Sequence, residues 1–316
     1  MSRIHEALKK AQEERAATGQ ATEVVALPRE QIARVPEQMT SAPVAVASAI
    51  ADHAPGNEQA LEYLRFDDLR TRCAQPEWHL DPNVNIFFNP ASNSHGAEQF
   101  RTLRSRLYQL RGSQSLRTLL VTSSVPAEGK TFVVANLAQA IVRQPDRRAL
   151  IIDADLRCAR VHAALGAPLA PGLTDYLRGE VDEMAVIQHG QEGNLCFIAG
   201  GNEVNDPSEL LSNGRLKALL ERVTPVFDWV ILDSPPCLPV ADARILADLC
   251  DGVLLVVRAG VTPSPMVQRA CQEMQGRNMV GVVLNAVEQS HLYGSYYYYQ
   301  NYEHGYIRGD SKAAQS

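Results

Sequence analysis

Ser124-Val-Pro-Ala-Glu-Gly-Lys-Thr131 is the stretch on which the reading of this chain turns. An apolar run, Leu119-Leu-Val-Thr122, leads into it, and Phe132-Val-Val-Ala-Asn-Leu-Ala-Gln-Ala-Ile-Val142 leaves it with a helical pattern. A strand, a loop closing on Gly-Lys-Thr and then a helix is the order that makes a phosphate-binding loop. The first backbone N–H groups of a helix point outward unpaired, and the helix dipole adds partial positive charge there. Gly129 lets the backbone close around phosphates, Lys130 reaches the terminal ones, and Thr131 holds magnesium. Pro126, Ala127, Glu128 and Phe132 flank these residues and complete the candidate nucleotide-binding set. One position departs from the strict pattern G-x-x-x-x-G-K-[ST]: Ser124 stands where the first glycine is expected. A chance Gly-Lys-Thr at a helix start would look the same, so the surrounding pattern has to decide.

Outward from this loop the pattern is regular. Candidate strands at 118–122, 149–153, 195–198, 229–233, 252–257 and 279–285 are short, β-branched and apolar on both faces, and helical stretches separate them. Strands of that kind belong in a parallel sheet covered on both sides. The expected fold class is therefore α/β, a doubly wound and mostly parallel sheet, with ligands at the C-terminal ends of its strands.

Two acidic sites fall at such strand ends. Leu150-Ile-Ile-Asp153-Ala-Asp155-Leu-Arg157 follows one strand and Val230-Ile-Leu-Asp233-Ser-Pro-Pro236 another. A carboxylate there can hold Mg²⁺ or accept a proton from a hydroxyl nucleophile. A lone Asp at a strand end is as readily a helix cap; two of them after a phosphate loop argue for a shared site. Lys130, Asp153, Asp155, Arg157 and Asp233 are the candidate catalytic residues, with Thr131, Asp155 and Asp233 as metal ligands.

The ends of the chain read differently. Residues 2–17 form an amphipathic helix pattern (Ile4, Ala7, Leu8, Ala11), open to a docking role, a weak membrane-surface contact or no role. Residues 18–77 are rich in Ala, Val, Pro, Glu and Gln and are expected to be a linker, with at most a short helix near 58–69. The folded domain is expected over 78–290. After it, a tail at 291–316 carries Tyr293, Tyr296, Tyr297, Tyr298, Tyr299, Tyr302 and Tyr306, seven of the chain's ten tyrosines. In front of the phosphate loop, Glu98, Arg101 and Arg104 recur every three residues along an amphipathic helix whose apolar face is Phe100, Leu103, Leu107 and Leu110. Such a stripe is either a solvated face or an intersubunit seam.

Composition narrows the class. In 316 residues the net charge is −6 and charged residues are 21%, which makes no case for nucleic acid as a partner. No apolar run approaches a membrane span, and no signal-peptide core opens the chain. The six cysteines form no C-x-x-C pair, as expected of thiols in a reducing, cytoplasmic compartment.

Together the motifs resemble the bacterial tyrosine kinase family, P-loop autokinases coupled to capsule and exopolysaccharide export. The resemblance rests on Ser124–Thr131, Leu150–Arg157, Val230–Pro236 and the helical motif Glu98-x-x-Arg101-x-x-Arg104, and covers roughly residues 78–306. The leader and linker are similar to the subgroup found beside exosortase and exopolysaccharide loci. The resemblance implies an ATP- and Mg²⁺-dependent tyrosine autokinase with the tyrosine cluster as phosphate acceptor, entering a neighbouring subunit's site in a ring-like homo-oligomer. In the mechanism this suggests, Asp153 is the candidate for deprotonating or orienting the tyrosine, Arg157 for steadying the γ-phosphate or the acceptor, and Asn285, at the end of the last strand, a candidate for the adenine. It implies further a separate transmembrane chain-length-determinant activator, a cognate tyrosine phosphatase, and a cytoplasmic place at the inner face of the membrane. Two alternatives stay open. A septum-positioning or plasmid-partitioning ATPase shares the loop class, but carries a signature lysine where this chain has Val125. A non-catalytic nucleotide-binding scaffold of a polymer exporter would need only part of the acidic set.

Overall fold

The computed structural model describes residues 64–88, 95–190 and 193–287. The leader at 2–17, most of the linker at 18–77 and the tyrosine-rich tail at 291–316 lie outside these residues.

Seven strands make one sheet: β1 (Thr118–Ser123), β2 (Ala149–Asp153), β3 (Ile187–His189), β4 (Leu195–Ile198), β5 (Trp229–Asp233), β6 (Gly252–Arg258) and β7 (Met279–Asn285). Their spatial order is β3-β4-β2-β5-β1-β6-β7. Every pairing is parallel except β3 with β4. The helices are α1 (Phe66–Arg72), α2 (His95–Ser113), α3 (Lys130–Val142), α4 (Val161–Leu165), α5 (Leu173–Arg178), α6 (Glu183–Val186), α7 (Pro207–Ser212), α8 (Arg215–Val223), α9 (Asp242–Ala247) and α10 (Ser264–Glu273). None of the helices described is long and apolar enough to cross a membrane.

The period of two in each strand divides the core. Leu150 and Ile152 of β2, with Val230 and Leu232 of β5, face a layer built on α1, α5, α8 and α9. Ala149 and Ile151, with Trp229 and Ile231, face the opposite layer, built on α2, α3 and α4. The continuous apolar runs are thus explained by burial on both faces. β7 is the exception: as an edge strand it leaves Val282 and Leu284 exposed.

All six strands expected from the apolar runs are present. Two features differ from expectation. β3 is a seventh, antiparallel edge strand of three residues, too short to show a period. The linker assigned to 18–77 also reaches too far: α1 packs with Phe66 and Leu69 buried, Phe66 meets Phe227 edge-on at 5.9 Å, and Ala74 bridges to Gln188 of β3. Apolar side chains spaced three apart on one turn were enough to draw this segment into the core, despite its Pro-rich surroundings.

On the expected face of α2, Phe100 and Leu107 are buried and Leu103 and Leu110 half-buried. Arg101 pairs with exposed Glu98. Arg104 does not stand free on a charged stripe: it turns inward and donates from Nη1 to the Ala140 carbonyl near the end of α3, at 2.5 Å.

Candidate nucleotide-phosphate site

β1 delivers the chain to the loop, and α3 begins at Lys130, with Gly129 before it in the left-handed region at φ 95°. The only other left-handed residue of the loop is Ala127, at φ 63°. Ser124 is fully buried and is not left-handed, so its backbone has no need of the glycine the strict pattern places there. Gly129 is required twice over: a Cβ there would also lie 2.0 Å from the Asn285 side-chain amide. The first turn of the 13-residue α3 thus meets a loop wound to bring backbone N–H groups toward one point.

The acidic residues arrive from neighbouring strands. Asp153 and Asp233 end β2 and β5 and stand opposite one another in the parallel register. Both are buried. Thr131 Oγ1 donates to Asp233 Oδ2 at 2.6 Å, which joins the loop to the β5 end. The Val161 amide donates to Asp153 Oδ2 at 3.0 Å. The second oxygen of each carboxylate has no partner. Burial raises the Asp233 pKa to about 7, against the pull of the Thr131 hydroxyl and the Lys130 charge. Burial, with the Asp233 charge beside it, holds Asp153 well above the usual carboxylate range. Asp155 is also pushed up by burial, and is drawn back by Lys130 and by the Cys158 amide at 3.1 Å. The Lys130 charge therefore acts on both Asp155 and Asp233, as one pocket requires.

Several candidate residues point elsewhere. The Glu128 side chain is buried and faces the protein: its carboxylate accepts from the Val125 amide at 2.8 Å, the Arg258 amide at 3.2 Å and the Thr262 hydroxyl. Asn285 donates from Nδ2 to the Glu128 carbonyl at 2.9 Å, so its amide braces the loop. Arg157 is turned onto Asp242, Nε to Oδ2 at 2.7 Å and Nη2 to Oδ1 at 3.1 Å, and is not held out over the phosphate loop. Pro126 and Ala127 form the exposed rim. Phe132 and Asn285 line a cavity of about 540 Å³ beside the loop, between α2 and β7. Asp242, Arg258 and Thr262 were not foreseen. Asp242 is an Asp opening a helix shortly after a strand-end acid, which spacing alone does not separate from an ordinary cap.

The donor set suits magnesium. Mg²⁺ is usually held by one or two carboxylates together with substrate phosphates rather than by an all-protein cage. Thr131, Asp155 and Asp233 are hard oxygen donors, and one Asp233 oxygen is buried without a partner. Among the described residues no three or more His, Cys, Asp or Glu side chains form a closed metal cluster.

Parallel strands, a loop wound onto a helix N-terminus, and acids at the adjacent strand ends define a P-loop domain of the nucleotide-hydrolase type. No family model matches the chain. Among curated proteins it is similar to tyrosine-protein kinase Etk of Escherichia coli (strain K12), 36% identical over 230 residues, which cover 70% of this chain and 31% of that protein. It is similar also to tyrosine-protein kinase YwqD of Bacillus subtilis (strain 168), 32% identical over 217 residues, 68% of this chain and 91% of that protein. Of solved structures, the kinase domain of the Escherichia coli tyrosine kinase Etk superposes with a TM-score of 0.61 and 34% identity, over 66% of this chain and 83% of that one. The chain belongs to the bacterial tyrosine kinase family. It spans about a third of the length of Etk.

Proposed function

We propose that this chain is an ATP-dependent protein-tyrosine autokinase that phosphorylates its own C-terminal tyrosines in trans. The observation that carries the reading is the meeting of Lys130, Thr131, Asp155 and Asp233 at one strand edge, with Asp153 beside them.

The loop amides and Lys130 receive the β- and γ-phosphates, and Thr131, Asp155 and Asp233 hold Mg²⁺. A Mg²⁺ held by these residues would supply positive charge to offset the negative charge gathering on the transferred phosphoryl group. The cavity beside Phe132 and Asn285 takes the base. The phenol oxygen of an incoming tyrosine bonds to the γ-phosphorus as the bond to the β-phosphate oxygen breaks, and ADP leaves with that oxygen. Asp153 orients the phenol and takes its proton. Arg157, anchored on Asp242, steadies the acceptor side.

The acceptors are Tyr293, Tyr296, Tyr297, Tyr298, Tyr299, Tyr302 and Tyr306. Each phosphate adds roughly −1.5 to −2 charges, so a modified tail repels its neighbours and releases a ring of subunits. Glu98, exposed, and Arg101, half-buried, supply the intersubunit seam, with Arg104 fixing the helix that carries them. The partners are further copies of the chain, a separate transmembrane co-polymerase that activates it at the inner face of the membrane, and a tyrosine phosphatase that resets it. The output is control of exopolysaccharide polymerisation and export.

The test is a phosphotyrosine immunoblot of the full chain given ATP and Mg²⁺, with wild type beside Lys130→Met. Signal in the wild type and none in the variant supports the kinase. Hydrolysis without phosphotyrosine in the wild type moves the protein to the partitioning-type ATPases, and nucleotide binding with neither moves it to a scaffold.

A further inference from the structure

Asp242 is wholly buried, on the first turn of α9, nine residues past Asp233. A buried carboxylate is costly unless it is paired and hydrogen-bonded. The ordinary employment for an Asp at this place is to cap its own helix. Asp242 does not: Ala241 holds the cap position of α9, and the hydrogen bonds the Asp242 carboxylate accepts come from Arg157 and Ser208. Instead its oxygens turn toward the active-site edge. Arg157 grips both of them, Nε on Oδ2 and Nη2 on Oδ1. Ser208, on the first turn of α7, donates its hydroxyl to Oδ1 and receives Arg157 Nη2 at 3.1 Å. A fork of this kind fixes a guanidinium in orientation as well as in place.

The consequence runs through the backbone. Arg157 lies two residues past Asp155, in the turn that Asp155 closes by accepting the Cys158 amide both at its carbonyl and, at 3.1 Å, at its carboxylate, so the residue that grips Asp242 with its side chain belongs to the turn that carries Asp155. Asp242 thereby ties the segment after β5 to the segment after β2, with α7 as the third member.

We propose that Asp242 is a positioning residue for phosphoryl transfer, holding Arg157, and through it Asp155, in place at the active-site edge. The proposal rests on the phosphotransfer reading of the site. It differs from a purely structural role in one respect: Asp242 acts on turnover only through Arg157, so removing both residues harms turnover no more than removing one.

The experiment is a double-mutant cycle on the full chain with Asp242→Asn, Arg157→Met and the pair, read as kcat and KM for ATP, with a melting curve for each protein. Each single variant is expected to lose on the order of tenfold in kcat with KM for ATP within about threefold, and the double to match the worse single. Multiplied losses in the double, or wild-type kcat in Asp242→Asn, overturn the proposal. Should Asp242→Asn melt below the assay temperature, Arg157→Met and Ser208→Ala carry the test. Both must lower kcat while KM holds, and either one at wild-type kcat overturns it. Tyrosine labelling and ATP hydrolysis are followed together. A wild type that hydrolyses ATP but labels no tyrosine refutes the kinase reading, while kcat for hydrolysis still decides on Asp242.

Discussion

Thr131 Oγ1 donates to Asp233 Oδ2 at 2.6 Å, joining the first turn of α3 to the end of β5 across 102 residues of chain. The bond lies where loop and acid must cooperate, and it ends on a buried carboxylate whose other oxygen has no partner. Thr131→Val removes the donor while keeping the shape. Loss of a hydrogen bond to a buried charged group costs about 1–3 kcal/mol. The expected result is a lower melting temperature and a weaker dependence of nucleotide affinity on Mg²⁺, read by titrating nucleotide with and without the metal. An unchanged metal dependence would place Thr131 outside the metal's reach.

The raised carboxyl at β5 makes stability depend on pH. Asp233 titrates at about 7 in the folded protein, against an ordinary aspartate value near 3.9 once unfolded. Between these values the folded chain holds a proton that the unfolded chain has released, so this group's contribution falls as pH rises through that window and is level above it. Asp153 acts in the same direction. Urea unfolding of the nucleotide-free protein at pH 5 and pH 8 should therefore show Asp233→Asn gaining on wild type at the higher pH. A constant difference between the two proteins at both pH values counts against the raised pKa.

The parts of the fold written in runs of like residues were the parts legible in sequence. Leu150-Ile-Ile152 and Val253-Leu-Leu-Val-Val257 can be little else than strands buried on both faces, and Gly129-Lys130-Thr131 between a strand and a helix has one familiar use. Phe66 and Leu69 were hidden because two apolar residues in a Pro-rich region do not make a pattern, and only their packing against Phe227 and its neighbours gives them meaning. Side-chain direction was hidden for a similar reason. Position in the motifs placed Glu128 and Arg157 at the site, and position at the end of the last strand placed Asn285 there, but their partners are the Val125 amide, Asp242 and the Glu128 carbonyl, which come from other segments or from the loop's own curl. Sequence spacing locates a residue; what it touches depends on chains of contact that spacing does not record.

Glu128 supplies the third prediction. Its carboxylate gathers donors from the loop itself, from the end of β6 and from Thr262, and so fastens the loop from behind. Glu128→Ala leaves these donors without their acceptor, at about 1–3 kcal/mol for each one that stays buried. Both melting temperature and nucleotide affinity should drop, with Thr262→Val reproducing a smaller part of each. If affinity drops while stability holds, the side chain touches nucleotide and the buried orientation is wrong.

Gly129 should tolerate no side chain. Its φ of 95° disfavours any L-residue, by about 1–2 kcal/mol for left-handed backbone, and a Cβ would stand 2.0 Å from Asn285 Nδ2. Gly129→Ala is therefore expected to lose nucleotide binding, and Gly129→Ala with Asn285→Ala to recover part of it, because the second change removes the collision and leaves the backbone strain. Equal losses in the single and double variants would mean that strain alone decides.

The last prediction concerns where the domain begins. Leu69 is wholly buried on α1, whereas Asp67, two residues before it, is exposed. Were this segment a linker, replacing either residue would change stability by no more than about 0.5 kcal/mol, as for surface positions generally. Packed as it is beneath the sheet, Leu69→Ala should cost about 2–5 kcal/mol, the range for emptying a buried leucine site, while Asp67→Ala stays near zero. Chemical unfolding of the two variants beside wild type measures both. Matching small changes would return residues 66–74 to the linker, and a large loss at Leu69 alone fixes the start of the folded domain ahead of residue 66.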